Sequence, residues 1–237
     1  MAYFRQSKRR TALFLEALCN IPCSAGLTVK HQNIATKALR GCYERMRRAL
    51  PRSDAVAMDE TPAKEANRKA WLWTAVTKRF TLFHIADTRK ADVVKELLGK
   101  DFSGIVTSDR YGGYDWIRKQ QLCWAHLLRD FQSLIDVGGK AKTIGRRLKE
   151  YAQRLFHNWH RYRDGMITRQ TMRQNIRKRW WPVYAALEEG TLRLRGKHAG
   201  MCQHILDRVD HLWTFLKHDN VEPTNNASER SLRHAVI

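Results

Sequence analysis

The stretch Ala55-Val56-Ala57-Met58-Asp59 is a short apolar run that ends on a carboxylate, and Gly104-Ile105-Val106-Thr107-Ser108-Asp109 repeats that pattern further along the chain. Each reads as a buried-type strand, the first expected to stop near Pro62. Between them, residues 70–76 and 80–86 are β-rich runs separated by Thr77-Lys78-Arg79, the pattern of a hairpin. Thr88 is expected to cap a helix through Leu98, with Val94, Leu97 and Leu98 on its apolar face and Gly99 as its stop. A short helix near 114–119, a strand at 121–124 and a helix to about Val137 complete the segment.

The order strand, strand, strand, helix, strand, helix, strand, helix predicts an α/β fold with the mixed sheet of a ribonuclease-H-like domain. In that topology the first and fourth strands are parallel neighbours, so Asp59 and Asp109, each late in its strand, are expected to face one another and form a cation site. Glu60 alternates to the opposite strand face and is the weaker ligand candidate.

Outward from this core both flanks read as helical. Leu13, Phe14, Ala17 and Leu18 recur at helical spacing, a break follows around Pro22 and Gly26, and a second helix is expected over about 29–50, so residues 1–53 form a helical N-terminal segment with a candidate helix-turn-helix remnant. On the other side, Ile144, Leu148, Tyr151, Leu155, Trp159 and Tyr162 form one stripe. Met172, Ile176, Trp180, Val183 and Leu187 form a second, with Pro182 expected to kink or end it, and Cys202, Ile205, Val209, Leu212, Trp213 and Leu216 form a third. The expected organisation is a core over 54–138, a large all-helical basic insertion over 139–220, and a helix over 221–237 that returns to the core. Most tryptophans of the insertion are expected in its core, while one at its surface could stack on an unpaired base.

The chain has 237 residues and a net charge of +21, from 44 Lys plus Arg against 23 Asp plus Glu, a field that favours polyanionic partners. The charge is uneven: residues 1–58 hold 11 basic and 3 acidic side chains and residues 141–200 hold 15 and 4, whereas residues 59–137 hold 13 and 11. A balanced centre between basic flanks suits a carboxylate site served by phosphate-neutralising surfaces. Five scattered cysteines read as reduced thiols, and no apolar run approaches the roughly 20 residues of a membrane span, so an intracellular protein without a membrane partner is expected.

Phosphoryl transfer in DNA needs an activated oxygen nucleophile, a stabilised leaving oxygen and neutralisation at phosphorus. Two Mg²⁺ ions held by carboxylates supply these. Asp59 and Asp109 are the evident pair. Glu229, in Asn225-Asn226-Ala227-Ser228-Glu229-Arg230, leaves two readings open: a third ligand, or the acid of a capping box that begins at Asn226. Arg110, Arg230 and Arg233 beside the carboxylates, and Arg146 and Arg147 in the insertion, are candidate phosphate contacts.

Asp59-Glu60-Thr61, Ala70-Trp71-Leu72-Trp73, Leu97-Leu98-Gly99, Ser108-Asp109-Arg110-Tyr111, Cys123-Trp124-Ala125-His126-Leu127-Leu128-Arg129-Asp130-Phe131 and Glu222-Pro223-Thr224-Asn225-Asn226-Ala227-Ser228-Glu229-Arg230 occur in that order. Together they resemble the insertion-sequence DDE transposases of the type named insertion sequence sixty-six, from about residue 7 to the end. The resemblance implies metal-dependent strand cleavage and strand transfer at the ends of a mobile element, with Asp59, Asp109 and Glu229 holding Mg²⁺ or Mn²⁺. Cys123 and His126, with Asn225 and Asn226, would support the active site; alone, a Cys-x-x-His lacks two ligands of a zinc site. Implied partners are double-stranded DNA, both terminal inverted repeats and target, and further copies of the chain, with room for accessory proteins, in a bacterial cytoplasm at the nucleoid. Members of that group run longer at both ends, so the chain is expected to be a catalytic-domain fragment. Two alternatives stay open, a catalytically silent DNA-binding relic and a ribonuclease-H-like nuclease without strand transfer.

Overall fold

The computed structural model describes residues 6–65, 67–178 and 180–233; positions 234–237 of the expected C-terminal segment lie outside the described residues. Among the described residues five strands, β1 (Ala55–Glu65), β2 (Arg68–Val76), β3 (Thr81–Ala86), β4 (Ile105–Ser108) and β5 (Gln120–Leu122), are joined in the order β3-β2-β1-β4-β5. The helices are α1 (Lys8–Cys19), α2 (Ala25–Ala49), α3 (Ala91–Leu98), α4 (Trp124–Val137), α5 (Gly139–Arg163), α6 (Arg169–Arg177), α7 (Trp181–Arg193), α8 (Gly196–Leu206), α9 (Thr214–Lys217) and α10 (Asn226–Arg233). The fold is a mixed α/β one, and the described residues divide into two compact units: those within 1–106, 111–118 and 226–237 form one, and those within 107–110 and 119–225 the other.

In the first unit, β1 pairs antiparallel with β2 over Ala57↔Val76 to Glu65↔Arg68, and β2 pairs antiparallel with β3. β1 is longer than its sequence suggests, because it runs through Pro62 instead of ending there. The Ile105 N–H donates to the Asp54 carbonyl at 2.9 Å, so the four-residue β4 starts beside the start of β1 and ends well short of Pro62. At Pro62 the strand has β2 on one side alone, and a missing N–H disturbs no ladder on the other.

Alternation along β1 buries Val56, Met58 and Glu60 on one face. Val56 and Met58 join Trp73, Ala75 and Leu82 from the neighbouring strands and Val93, Val94, Leu97 and Leu98 of α3 in the core. Thr88 does not cap α3, which starts after Lys90 with no side-chain cap; its Oγ1 instead accepts from the Lys90 N–H at 3.2 Å, closing the turn ahead of the helix. Gly99 ends α3 with φ 84°, as expected of a stop glycine. The N-terminal helices form a hairpin capped by Ser7 and Ser24, and α2 begins at Ala25, before Gly26, since the Ser24 hydroxyl accepts from the Leu27 N–H.

In the second unit, α5 carries the first predicted stripe, with Ile144, Leu148, Tyr151, Leu155 and Trp159 buried. The second stripe belongs to two helices. α6 ends at Arg177, and Pro182 lies in the first turn of α7, where its missing N–H and fixed φ are tolerated. The third stripe is divided among α8, a 3₁₀ turn over Val209–Leu212 and α9. Trp124, Tyr151 and Trp213 pack ring against ring, with centroids 5.3–6.0 Å apart. Buried Gln121 ties β5 to the distal turn by donating to the Leu212 carbonyl and accepting from the Phe215 N–H at 2.8 Å.

Candidate active site

Asp59 and Glu229 belong to the first unit. Asp59 pairs across the sheet with Thr74, so the two residues share a face opposite to that of Met58 and Glu60. α10 packs on β1 and β2, and its Leu232 is buried. It begins at Asn226 itself, which makes Asn225 the residue before the helix; the position three on from Asn225 is Ser228, not Glu229. A capping box drawn from Asn226 to Glu229 therefore does not coincide with this helix start. Asp59 and Glu229 are both half-buried, and Asp59 Oδ1 accepts from the Glu60 N–H at 3.0 Å.

Glu60 has a different task from its neighbour. Its side chain is 1% exposed and forms an ion pair with Arg89 at 2.6 Å, while the Tyr114 hydroxyl donates to its other oxygen at 2.6 Å. The Arg89 guanidinium lies 3.9 Å from the centroid of the Tyr111 ring and 5.3 Å from that of Trp71, and the Tyr111 hydroxyl donates to the Arg89 carbonyl at 2.5 Å. The network clamps the segment Tyr111–Tyr114, which follows Asp109 in the chain, onto β1. Gly113 makes the turn feasible, since a Cβ there would lie 2.4 Å from the Tyr111 ring. Sequence reasoning missed this clamp. The Arg-Tyr-Gly-Gly-Tyr stretch was its visible signal, but the partners Glu60 and Arg89 are far apart in sequence.

Asp109 follows β4 in the second unit and is half-buried. Arg110 beside it forms an ion pair with Asp130 of α4 and contacts His204 Nδ1 of α8 at 3.3 Å, so its guanidinium has partners within the protein. Cys202 sits near that pair, and burial above all pushes its thiol up to about 11, Arg110 working against the shift and Asp130 with it.

The two other blocks singled out in the sequence meet in this unit. The Cys123 N–H donates to the Ser108 carbonyl at 3.0 Å, next to Asp109. Cys123 Sγ accepts from the Asn225 N–H at 3.1 Å, and the Trp124 N–H donates to the Pro223 carbonyl at 2.9 Å. Cys123 and Asn225 are both fully buried. The Cys-Trp-Ala-His block thereby holds the chain immediately before α10. His126 is half-buried on the first turn of α4.

Of the arginines, Arg146, Arg230 and Arg233 are exposed, and Arg147 pairs with Glu189 at 2.7 Å. No helix among the described residues is long and apolar enough to cross a membrane.

A family model described as Transposase IS66 family matches residues 7–237, nearly the whole chain. No curated protein matches the chain significantly.

Proposed function

The chain belongs to the transposase IS66 family, and from that premise we propose that it cleaves DNA at the ends of an insertion sequence and joins the freed strands to target DNA, with Asp59, Asp109 and Glu229 as its catalytic carboxylates. The observation that carries this reading is the packing of α10, the helix that bears Glu229, on β2 and on β1, the strand that bears Asp59. The strand order β3-β2-β1-β4-β5, with carboxylates following the apolar runs of β1 and β4, supports a ribonuclease-H-like arrangement.

All three side chains are hard oxygen donors and none is fully buried, which suits Mg²⁺, an ion that keeps several of its waters. Held by these side chains, such ions would supply activation of the attacking oxygen, stabilisation of the leaving oxygen and neutralisation of charge on the phosphate. The protein's own contribution is positional. Glu60, Arg89 and Tyr114 fix the strand and the loop on either side of the carboxylates. Cys123 and Asn225 hold the chain immediately before α10. Exposed Arg230 and Arg233 on that helix hold the phosphates flanking the scissile bond, and Arg146 extends the basic surface. Water is the first nucleophile and the freed 3′-hydroxyl the second, so no covalent bond between protein and DNA forms.

The test uses labelled terminal-repeat DNA with Mg²⁺ or Mn²⁺. The chain should give nicked and joined products, and Asp109→Ala should give neither while unfolding at the same urea concentration. Equal cleavage by the variant refutes the triad, and cleavage without any joined product reduces the activity to that of a nuclease.

A further inference from the structure

In the second unit, Arg177, Trp180, Asp210, Trp213, Leu216 and Lys217 line a cavity of about 350 Å³. Its composition is unusual for a helical core. Trp213 (7% exposed) and Leu216 are buried, whereas Trp180 keeps 47% of its surface exposed and meets Trp213 edge to face with centroids 6.5 Å apart. Arg177, Asp210 and Lys217 are exposed, and among the described residues none of the three forms an ion pair within the protein. The Trp213 Nε1–H is buried with no hydrogen-bond partner among the described residues. An exposed indole face, an apolar interior, two uncommitted cations and a carboxylate acceptor therefore converge in one cavity.

We propose that this cavity holds a single unstacked nucleobase of the DNA substrate. The reading rests on the chain acting on DNA, as proposed above, and adds to it a site remote in sequence from the carboxylates. The volume lies at the lower end of the range for small-ligand pockets and suits one base with its sugar, not a length of duplex. The Trp180 ring offers a flat face to the base, which stacks on it irrespective of sequence. Arg177 and Lys217 neutralise the phosphate of the same nucleotide, and Asp210 accepts from an exocyclic amino group. A protein-derived ligand fits less well, because the surrounding unit carries the same strong positive charge that draws in nucleic acid.

The experiment uses the full chain in EDTA, so that binding is read without cleavage. Two DNAs of equal length carry 2-aminopurine, one within paired duplex and the other at an unpaired position beside duplex. The wild type should bind the unpaired form about tenfold more tightly and quench its fluorescence, in keeping with the worth of one base–aromatic stack. Trp180→Ala should reduce the preference to within about twofold without changing affinity for paired duplex, and Trp180→Phe should retain it. Should Trp180→Ala unfold the helices, Lys217→Gln at an exposed position gives the second reading, and it should lower the preference while leaving the fold intact. Equal wild-type affinity for the two DNAs, or full preference in Trp180→Ala or Lys217→Gln, overturns the proposal. Metal-dependent cleavage of terminal-repeat DNA, measured separately, would survive that outcome. Absence of any DNA binding by the wild type would instead count against both readings.

Discussion

Replacing Arg89 by alanine isolates the clamp behind Asp59. The Glu60 carboxylate is 1% exposed, so the variant leaves a buried charge with the Tyr114 hydroxyl but without its cation. Removing one partner of a buried pair costs about 3–5 kcal/mol. Arg89 is itself 37% exposed, which screens the pair and favours the lower end, about 3 kcal/mol, with loss of the guanidinium's stacking on Tyr111 adding about 0.5–1 kcal/mol. The double variant Glu60→Gln/Arg89→Ala has no charge left to bury and should recover about 1–2 kcal/mol of that loss, a coupling expected of contacting residues. Urea unfolding followed by far-ultraviolet circular dichroism and by tryptophan fluorescence gives both numbers. Arg89→Ala within about 0.5 kcal/mol of wild type, or a double variant as unstable as the single one, would refute the reasoning, since surface substitutions fall in that narrow range.

Three further outcomes follow from the same geometry. Gly145→Ala should destabilise the helical unit by about 1–3 kcal/mol through overpacking, even though alanine is the better helix former, because the added Cβ would lie 2.7 Å from the Phe131 carbonyl and 2.8 Å from Leu134 Cβ; urea midpoints check this. Burial raises the Cys202 thiol to about 11 from 9.0 and raises Tyr151 as well, so the folded state keeps protons that the unfolded chain releases first. Stability from these groups is intact below pH 9 and falls as pH rises from 9 towards 11, which a series of urea midpoints between pH 7 and 10.5 should show as a decline. In salt titrations of DNA binding, Arg146→Ala should lower the slope of log K against log salt by about 0.9, whereas Arg147→Ala should change it less, since Glu189 already engages Arg147.

The strands that lead to Asp59 and Asp109 were legible because each is a short apolar run closed by a carboxylate, and α5 because its stripe persists over many turns. Pro62 misled, since a proline is excluded from a strand only where both neighbours need its N–H, and the length of the neighbouring strand is not written in the local sequence. Pro182 misled in the opposite sense, because the same residue that breaks a helix also begins one. The stripe from Cys202 to Leu216 hid two turns, as helical spacing survives when a helix is divided into pieces of about one period. Glu229 was ambiguous for a chemical reason: a carboxylate shortly after an asparagine can serve the helix backbone or a ligand, and the difference lies in where the helix starts. The Arg-Tyr-Gly-Gly-Tyr stretch hinted at a clamp, but its pairing of Glu60 with Arg89 was not legible because nothing local links two residues on separate elements.

The first unit is closed by α10, whose docking joins Glu229 to a strand made much earlier in the chain, with the whole helical unit synthesised in between. Such non-local contacts form late, after the entropy of closing a long loop has been overcome. On the ribosome, the strands and the helical unit can each collapse while β1 and β2 still lack α10. A nascent chain therefore passes through a stage with a folded sheet that still awaits its last helix. Closure of the first unit is thus a late event of folding, when synthesis has already carried the chain beyond the helical unit.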